Sequence, residues 1–149
     1  MITFLKKNFH DLTLEELYAV LKLRMTIFML EQQSLYLDID DQDQQAIHVL
    51  GLDANQQLVC YARINVNQAT AHIRRVCVIE AYRSQGLGSQ LMQEILQYLS
   101  KLSINKIALD AQFHLQNFYG KYGFVCTGDP YDDGGVLHIT MQKFQKRGA

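Results

Sequence analysis

From residue 46 the hydrophobic period of the chain changes to two and stays there through three runs, 46–53, 57–66 and 70–79. Alternation at two residues sends successive side chains to opposite faces of a strand. Only Ala54-Asn55-Gln56 and Asn67-Gln68-Ala69 separate the runs. Turns this short cannot carry a crossover, so the three strands are antiparallel neighbours.

The flanking segments read as follows. Residues 2–6 form a short first strand. Thr13-Leu14-Glu15-Glu16 is a capping box, in which the Thr hydroxyl caps an amide and Glu16 reaches back. Leu14, Leu17, Tyr18, Leu21, Met25 and Phe28 then recur at three and four residues and predict one apolar helical stripe ending near Leu30. Asp38 to Asp43 reads as an acidic, polar loop. A second helix is expected from about Gly86 to Leu102, with Leu87, Leu91, Ile95, Leu99 and Leu102 on one face. Ile104 to Asp110 is a fifth strand. A short helix from about His114 to Tyr122 stops at Gly123. Phe124-Val125-Cys126 and Val136 to Phe144 are closing strands around a Gly/Asp-rich turn. The order β-α-β-β-β-α-β-α-β-β predicts a mixed α/β (α+β) sheet, antiparallel in its N-terminal half. With 149 residues, no repeat and a single proline, the expectation is one domain spanning 1–149.

Charge and cysteine content narrow the function. A net charge of −1 gives no surplus to draw nucleic acid or an anionic membrane. Cys60, Cys77 and Cys126 form no CxxC pair, so buried, reduced thiols are expected rather than a zinc or redox motif. No apolar stretch approaches the ~20 residues of a membrane span, and the first residues lack the pattern of a signal peptide. A cytoplasmic protein is the expectation.

The sharpest local signal is Arg83-Ser84-Gln85-Gly86-Leu87-Gly88, between an expected strand and an expected helix. Unpartnered amides and the dipole at a helix start make an anion site. Glycine at 86 and 88 removes β-carbons that would hold a phosphate away. Arg83 can add a forked, charge-assisted hydrogen bond. No Gly-Lys-Ser/Thr follows, so a P-loop is excluded. Leu91 stands where a dinucleotide fingerprint needs its third glycine, and the preceding antiparallel strands do not fit the dinucleotide fold.

The same residues resemble the Arg/Gln-x-x-Gly-x-Gly/Ala motif of the GCN5-related N-acetyltransferases. The run Gln112-Phe113-His114-Leu115-Gln116-Asn117-Phe118-Tyr119-Gly120-Lys121-Tyr122-Gly123-Phe124 resembles that family's Asn-x-x-Ala-x-x-Leu-Tyr-x-x-x-Gly-Phe segment. Leu23 to Gln32, Asp38 to Asp43, Arg75 to Val78, Ala111 to Tyr119 and Tyr131 to His138 are similar to its ElaA-like branch. The resemblance implies acetyl-CoA as acyl-donor co-substrate, an amine of a small molecule or peptide as acceptor, and direct attack of the amine on the thioester. It implies cofactor contacts from Val76, Cys77, Val78, Arg83, Ser84, Gln85, Gly86, Leu87, Gly88, Ser89, Gln112 and Tyr119. Gln112 stands where the family usually has Asn. A homodimer is compatible with the resemblance, though no residue requires one.

Acyl transfer needs a held thioester, an uncharged amine, donors for the oxyanion and a hydrogen bond or proton for the leaving thiolate. The resemblance assigns the thioester oxygen to backbone amides near Val78 and the thiolate to Tyr119. A phenol near pKa 10 facing a thiol near ~8.5 favours a hydrogen bond to sulfur over outright proton transfer. For the base, Glu31 at the end of the first helix ranks first, with a water chain as the alternative. His48, His72 and His138 lie on expected strands, where a hydrogen-bonded structural role is the ordinary one. The acidic loop lacks the glycine and distal glutamate of an EF-hand, so no metal is expected. It reads as a solvated turn, or as an attractor for a cationic amine. A non-catalytic acyl-CoA-binding or interaction module with the same fold is the competing reading.

Overall fold

The computed structural model describes residues 1–146. Strands β1 (Thr3–Asn8), β2 (Ile47–Leu52), β3 (Leu58–Asn67), β4 (Thr70–Val78), β5 (Lys106–Gln112), β6 (Val125–Asp133) and β7 (Val136–Phe144) form one sheet in the order β1-β2-β3-β4-β5-β7-β6. Three helices pack on it: α1 (Leu14–Arg24), α2 (Leu87–Ser100) and α3 (Gln116–Gly120). The antiparallel β2–β3–β4 meander is as the short turns dictate. This is the mixed α/β architecture expected from the element order.

The sheet's two faces differ. Leu87, Leu91, Met92, Ile95 and Leu99 of α2 pack with Ile73, Ile107, Leu109, Ile139 and Met141 of the strands. Each such side chain gains ~1.5–3 kcal/mol on leaving water. On the opposite face α1 covers Leu50, Tyr61 and Cys77.

The capping box forms as read: Glu16 N donates to Thr13 Oγ1 at 3.0 Å and Thr13 N to Glu16 Oε1 at 2.8 Å. The buried face of α1, however, is not the expected stripe. Leu14 and Tyr18 are 82% and 72% exposed, whereas Val20, Leu23, Arg24 and Ile27 are buried. The helix also widens over Met25–Glu31 into a π-helical segment, with Gln32 N bonded to Ile27 O five residues back at 3.2 Å.

Arg24 is inside because its charge is matched there. Three aspartates of the acidic loop, Asp38, Asp40 and Asp43, are ion-paired rather than free in solvent, and only Asp41 stays exposed without an ion-pair partner among the described residues. Arg24 Nη1 donates to Asp43 Oδ1 at 2.7 Å, and its Nε lies 3.0 Å from Asp38 Oδ2. Arg63 grips Asp40 with two hydrogen bonds of 2.8 Å and reaches Asp43 at 3.0 Å. Arg75 joins Asp38 at 3.0 Å. Burial works against the charged form of Asp40, but hydrogen bonding to Arg63 and its positive charge outweigh it and hold the carboxyl down at about 2. Asp43 is lowered by the same contest, with Arg24 the main opposing partner. Beside this network, His48 donates from Nε2 to the Asp43 carbonyl at 2.9 Å and accepts from the Tyr61 hydroxyl at 2.6 Å.

Two further differences arise at β6. Gly128 and Pro130 do not end the strand; they sit in a register shift between Thr127 and Tyr131, and Tyr131–Asp133 pair on with β7. An edge strand tolerates such a bulge because its outer side needs no partner. Cys126 on this edge is exposed, against the expectation of burial, while Cys60 and Cys77 are buried; all three are free thiols.

Candidate active site at the strand splay

β4 and β5 run parallel and pair only from Thr70 opposite Lys106 to Ile73 opposite Leu109. Beyond Ile73 they part. Between the pairs Tyr61–Cys77 and Arg63–Arg74, β4 carries one more residue than β3, and Arg75 there has φ +56°. The extra residue bends β4 away from β5. The β5-facing side of Val76–Val78 therefore has no strand beside it, and two cavities open at the gap.

The first is a groove of about 880 Å³. It is lined by Val76, Cys77 and Val78, by Arg83, Ser84, Gly86, Gly88 and Ser89, and by Gln112, Phe118 and Tyr119. The first helical hydrogen bond of α2 runs from Gln90 N to Gly86 O at 3.1 Å, so the amides of Leu87, Gly88 and Ser89 precede it. Gly86 has φ +81°, a conformation that disfavours any β-carbon. At Gly88 an added β-carbon would sit 3.7 Å from Phe118 Cζ, an ordinary contact.

Most cofactor candidates read from the sequence thus lie along one groove. Two side chains do not. Leu87 turns into the core at 3% exposure, and Gln85 Nε2 donates back to the Ala81 carbonyl at 2.9 Å. Only their backbone belongs to the turn. Glu31 also lines this groove, and its Oε1 accepts from Arg83 Nη2 at 2.6 Å while Arg83 Nε donates to Val78 O at 2.9 Å.

The second cavity, about 400 Å³, opens on the α1 side of the splay. Its polar lining is Arg74, Arg75, Asp110, Asp133, Gln112 and His138, with Tyr36 and Ser34 on the rim loop. Tyr36 lies under the Arg75 guanidinium at 5.2 Å. Sequence reasoning gave Arg74, Asp110 and Asp133 no part in an acyl-transfer site, because only the pairing of β4 with β5, β5 with β7 and β7 with β6 brings this set together. The two cavities meet: Gln32, Val76, Gln112, Leu115 and Tyr119 line both.

Tyr119 stands at that junction, 6% exposed, edge-on to Phe118 and Phe124. Burial pushes its phenol up to about 12. Its hydroxyl is therefore a hydrogen-bond donor across the neutral range.

Comparison with known proteins identifies this arrangement. Residues 14–144 match the acetyltransferase (GNAT) domain. The chain belongs to the GNAT family. Within it the chain is ElaA-like: it is 38% identical to protein ElaA of Escherichia coli over 149 residues, covering 96% of this chain and 97% of that one. The crystal structure of E. coli ElaA superposes with a TM-score of 0.91 at 37% identity, over 96% of this chain and 99% of that one. An acyl-CoA N-acyltransferase from Pseudomonas aeruginosa gives 0.90 at 36% identity, over 96% and 99%. The fold is thus that of GNAT acyl-CoA N-acyltransferases. Among the described residues, no three His, Cys, Asp or Glu side chains converge as a metal-binding set. No helix among them is long and apolar enough to cross a membrane.

Proposed function

We propose that this GNAT chain transfers an acetyl group from acetyl-CoA to an amine by direct attack on the thioester. The observation that carries the reading is the meeting of the two cavities at Val76, Gln112, Leu115 and Tyr119. A donor laid in the larger groove and an acceptor in the smaller one would touch there and nowhere else.

In this reading the pyrophosphate sits against the amides of Leu87, Gly88 and Ser89, with Arg83 adding a charged hydrogen bond. Glu31 holds Arg83 in place and lies on the donor side, away from the acceptor cavity. The pantetheine arm runs along the unpaired side of Val76–Val78 as an added strand would, and Gln112 supplies an amide to it. The Val78 amide faces the thioester oxygen. Tyr119 donates a hydrogen bond to the leaving sulfur; with its phenol near 12, it does not surrender the proton outright.

Calorimetric titration with acetyl-CoA, CoA, ATP and NAD tests the donor. Micromolar, CoA-selective binding is expected. Gly88→Val should weaken it at least about tenfold, a loss of ~1.4 kcal/mol, because the side chain meets the ligand's path while the local space accepts a β-carbon. Unchanged affinity removes the pyrophosphate assignment. Binding without thiol release across an amine panel would replace the enzyme by a non-catalytic acyl-CoA module.

A further inference from the structure

His138 lies on β7 directly opposite Gln112 of β5 and lines the smaller cavity. Directly opposed residues of an antiparallel pair project to the same face, so imidazole and amide stand side by side where the strands part. Nδ1 is 2.8 Å from the Val136 carbonyl oxygen. A carbonyl only accepts, so Nδ1 carries the hydrogen and the neutral ring presents a lone pair at Nε2. Among the described residues Nε2 has no hydrogen-bond partner. The Tyr131 ring stacks on the imidazole at 6.1 Å and 29° and holds its plane.

Of the other candidates, the remaining strand histidines, Glu31 and Asp110 are engaged or elsewhere, while Asp133 shares the cavity. Both nitrogens of His48 are bonded in the interior. His72 lines neither cavity, and Glu31 is paired with Arg83 in the donor groove. Asp110 already accepts from Thr140 Oγ1 at 2.7 Å.

We propose, on the reading of the two cavities given above, that His138 is the general base for the acceptor amine. The neutral amine nitrogen attacks the thioester carbon. As the C–N bond forms, Nε2 removes one proton from that nitrogen. Collapse of the tetrahedral intermediate breaks the C–S bond, and the electron pair leaves on sulfur under the Tyr119 hydrogen bond. The imidazolium then returns its proton to the thiolate, leaving the amide, free CoA thiol and a neutral histidine. That return leaves both groups neutral. The charged groups that line the cavity with His138 are Asp110 of β5, Asp133 of β6 and Arg74 and Arg75 of β4, with the Tyr36 and Tyr119 phenols, and Tyr131 stacks on the ring. Asp110 and Asp133 stabilise the transient imidazolium, Arg74 opposes it, and Arg75 is held by Asp38.

Two measurements decide this. Nitrogen NMR of the histidine-labelled protein reads the tautomer: Nδ1–H is expected, and an Nε2–H ring overturns the assignment whether or not an amine turns over. Thiol release from acetyl-CoA with glycinamide, followed against pH, reads the chemistry. His138→Gln should lower kcat by ~10²-fold, abolish the acidic limb of the profile, and leave calorimetric acetyl-CoA affinity within about twofold. Added imidazole should restore turnover to His138→Ala. A variant that keeps the wild-type rate and pH profile removes His138 as base while the transferase reading stands. Failure of the wild type to bind acetyl-CoA removes the transferase reading itself.

Discussion

Two groups of charged side chains share the α1-side face of the sheet and are built in opposite ways. Under α1, Arg24, Arg63 and Arg75 are matched by Asp38, Asp40 and Asp43. Beyond the splay, Arg74 and Asp133 have no ion-pair partner among the described residues, and Asp110 meets only a hydroxyl. Four of the charges in the first group are almost sealed from water, Arg24 and Arg63 at 0% and Asp38 and Asp43 at 5% exposure. Such charges persist only when paired. Those of the second border a cavity, where water can solvate them until a ligand displaces it. Matched charge here is architecture; unmatched charge stays at the wall of an open cavity.

The contrast is easiest to break at Arg24. Arg24→Met removes one of the two cations on each of Asp43 and Asp38, leaving Arg63 and Arg75, and should cost about 3 kcal/mol of folding stability, the low end for breaking a buried pair, read by urea unfolding. Stability equal to wild type would show that the network is dispensable. At the junction, Tyr119→Phe should leave the fold and donor affinity intact and slow thiol release roughly 10- to 10²-fold, the worth of one hydrogen bond to a charged group. An unchanged rate would make the tyrosine a packing residue.

Acid should separate the groups further. Asp40 and Asp43 have folded values below the ordinary carboxylate range, so their stabilisation is present above ~4 and is lost as pH falls through those folded values, about 2 for Asp40. Urea midpoints should fall steadily below pH 4, and Asp40→Asn should flatten that slope. The smallest effect belongs to Arg74→Met, within about 0.5 kcal/mol of wild-type stability. A larger loss would mean that the open group is structural too.

Much of the fold was legible because its signals are local. The period-two runs, the short turns and the Thr13–Glu16 box each involve neighbours in sequence. The glycine turn was legible for the same reason. What was missed depends on distant partners. Arg24 interrupts the apolar pattern of α1, so the stripe was displaced toward Leu14 and Tyr18; only Asp38 and Asp43, across the fold, make an arginine there an interior residue. The acidic loop read as solvated because its three arginines come from a helix and two strands. Gly128 and Pro130 carry strong turn chemistry, but pairing with β7 turns it into a bulge. Lining of the smaller cavity by His138 was invisible without the register that sets it beside Gln112.

On the proposed reading, the cavities joined at Tyr119 also set a limit on fidelity. A thioester seated at that junction is shielded on the donor side by the groove, yet on the other side it faces whatever fills the smaller cavity. Before an amine arrives, that occupant would be water. Leakage by hydrolysis is then restrained by the poor nucleophilicity of water rather than by a door, and the acceptor itself completes the wall that keeps the donor dry.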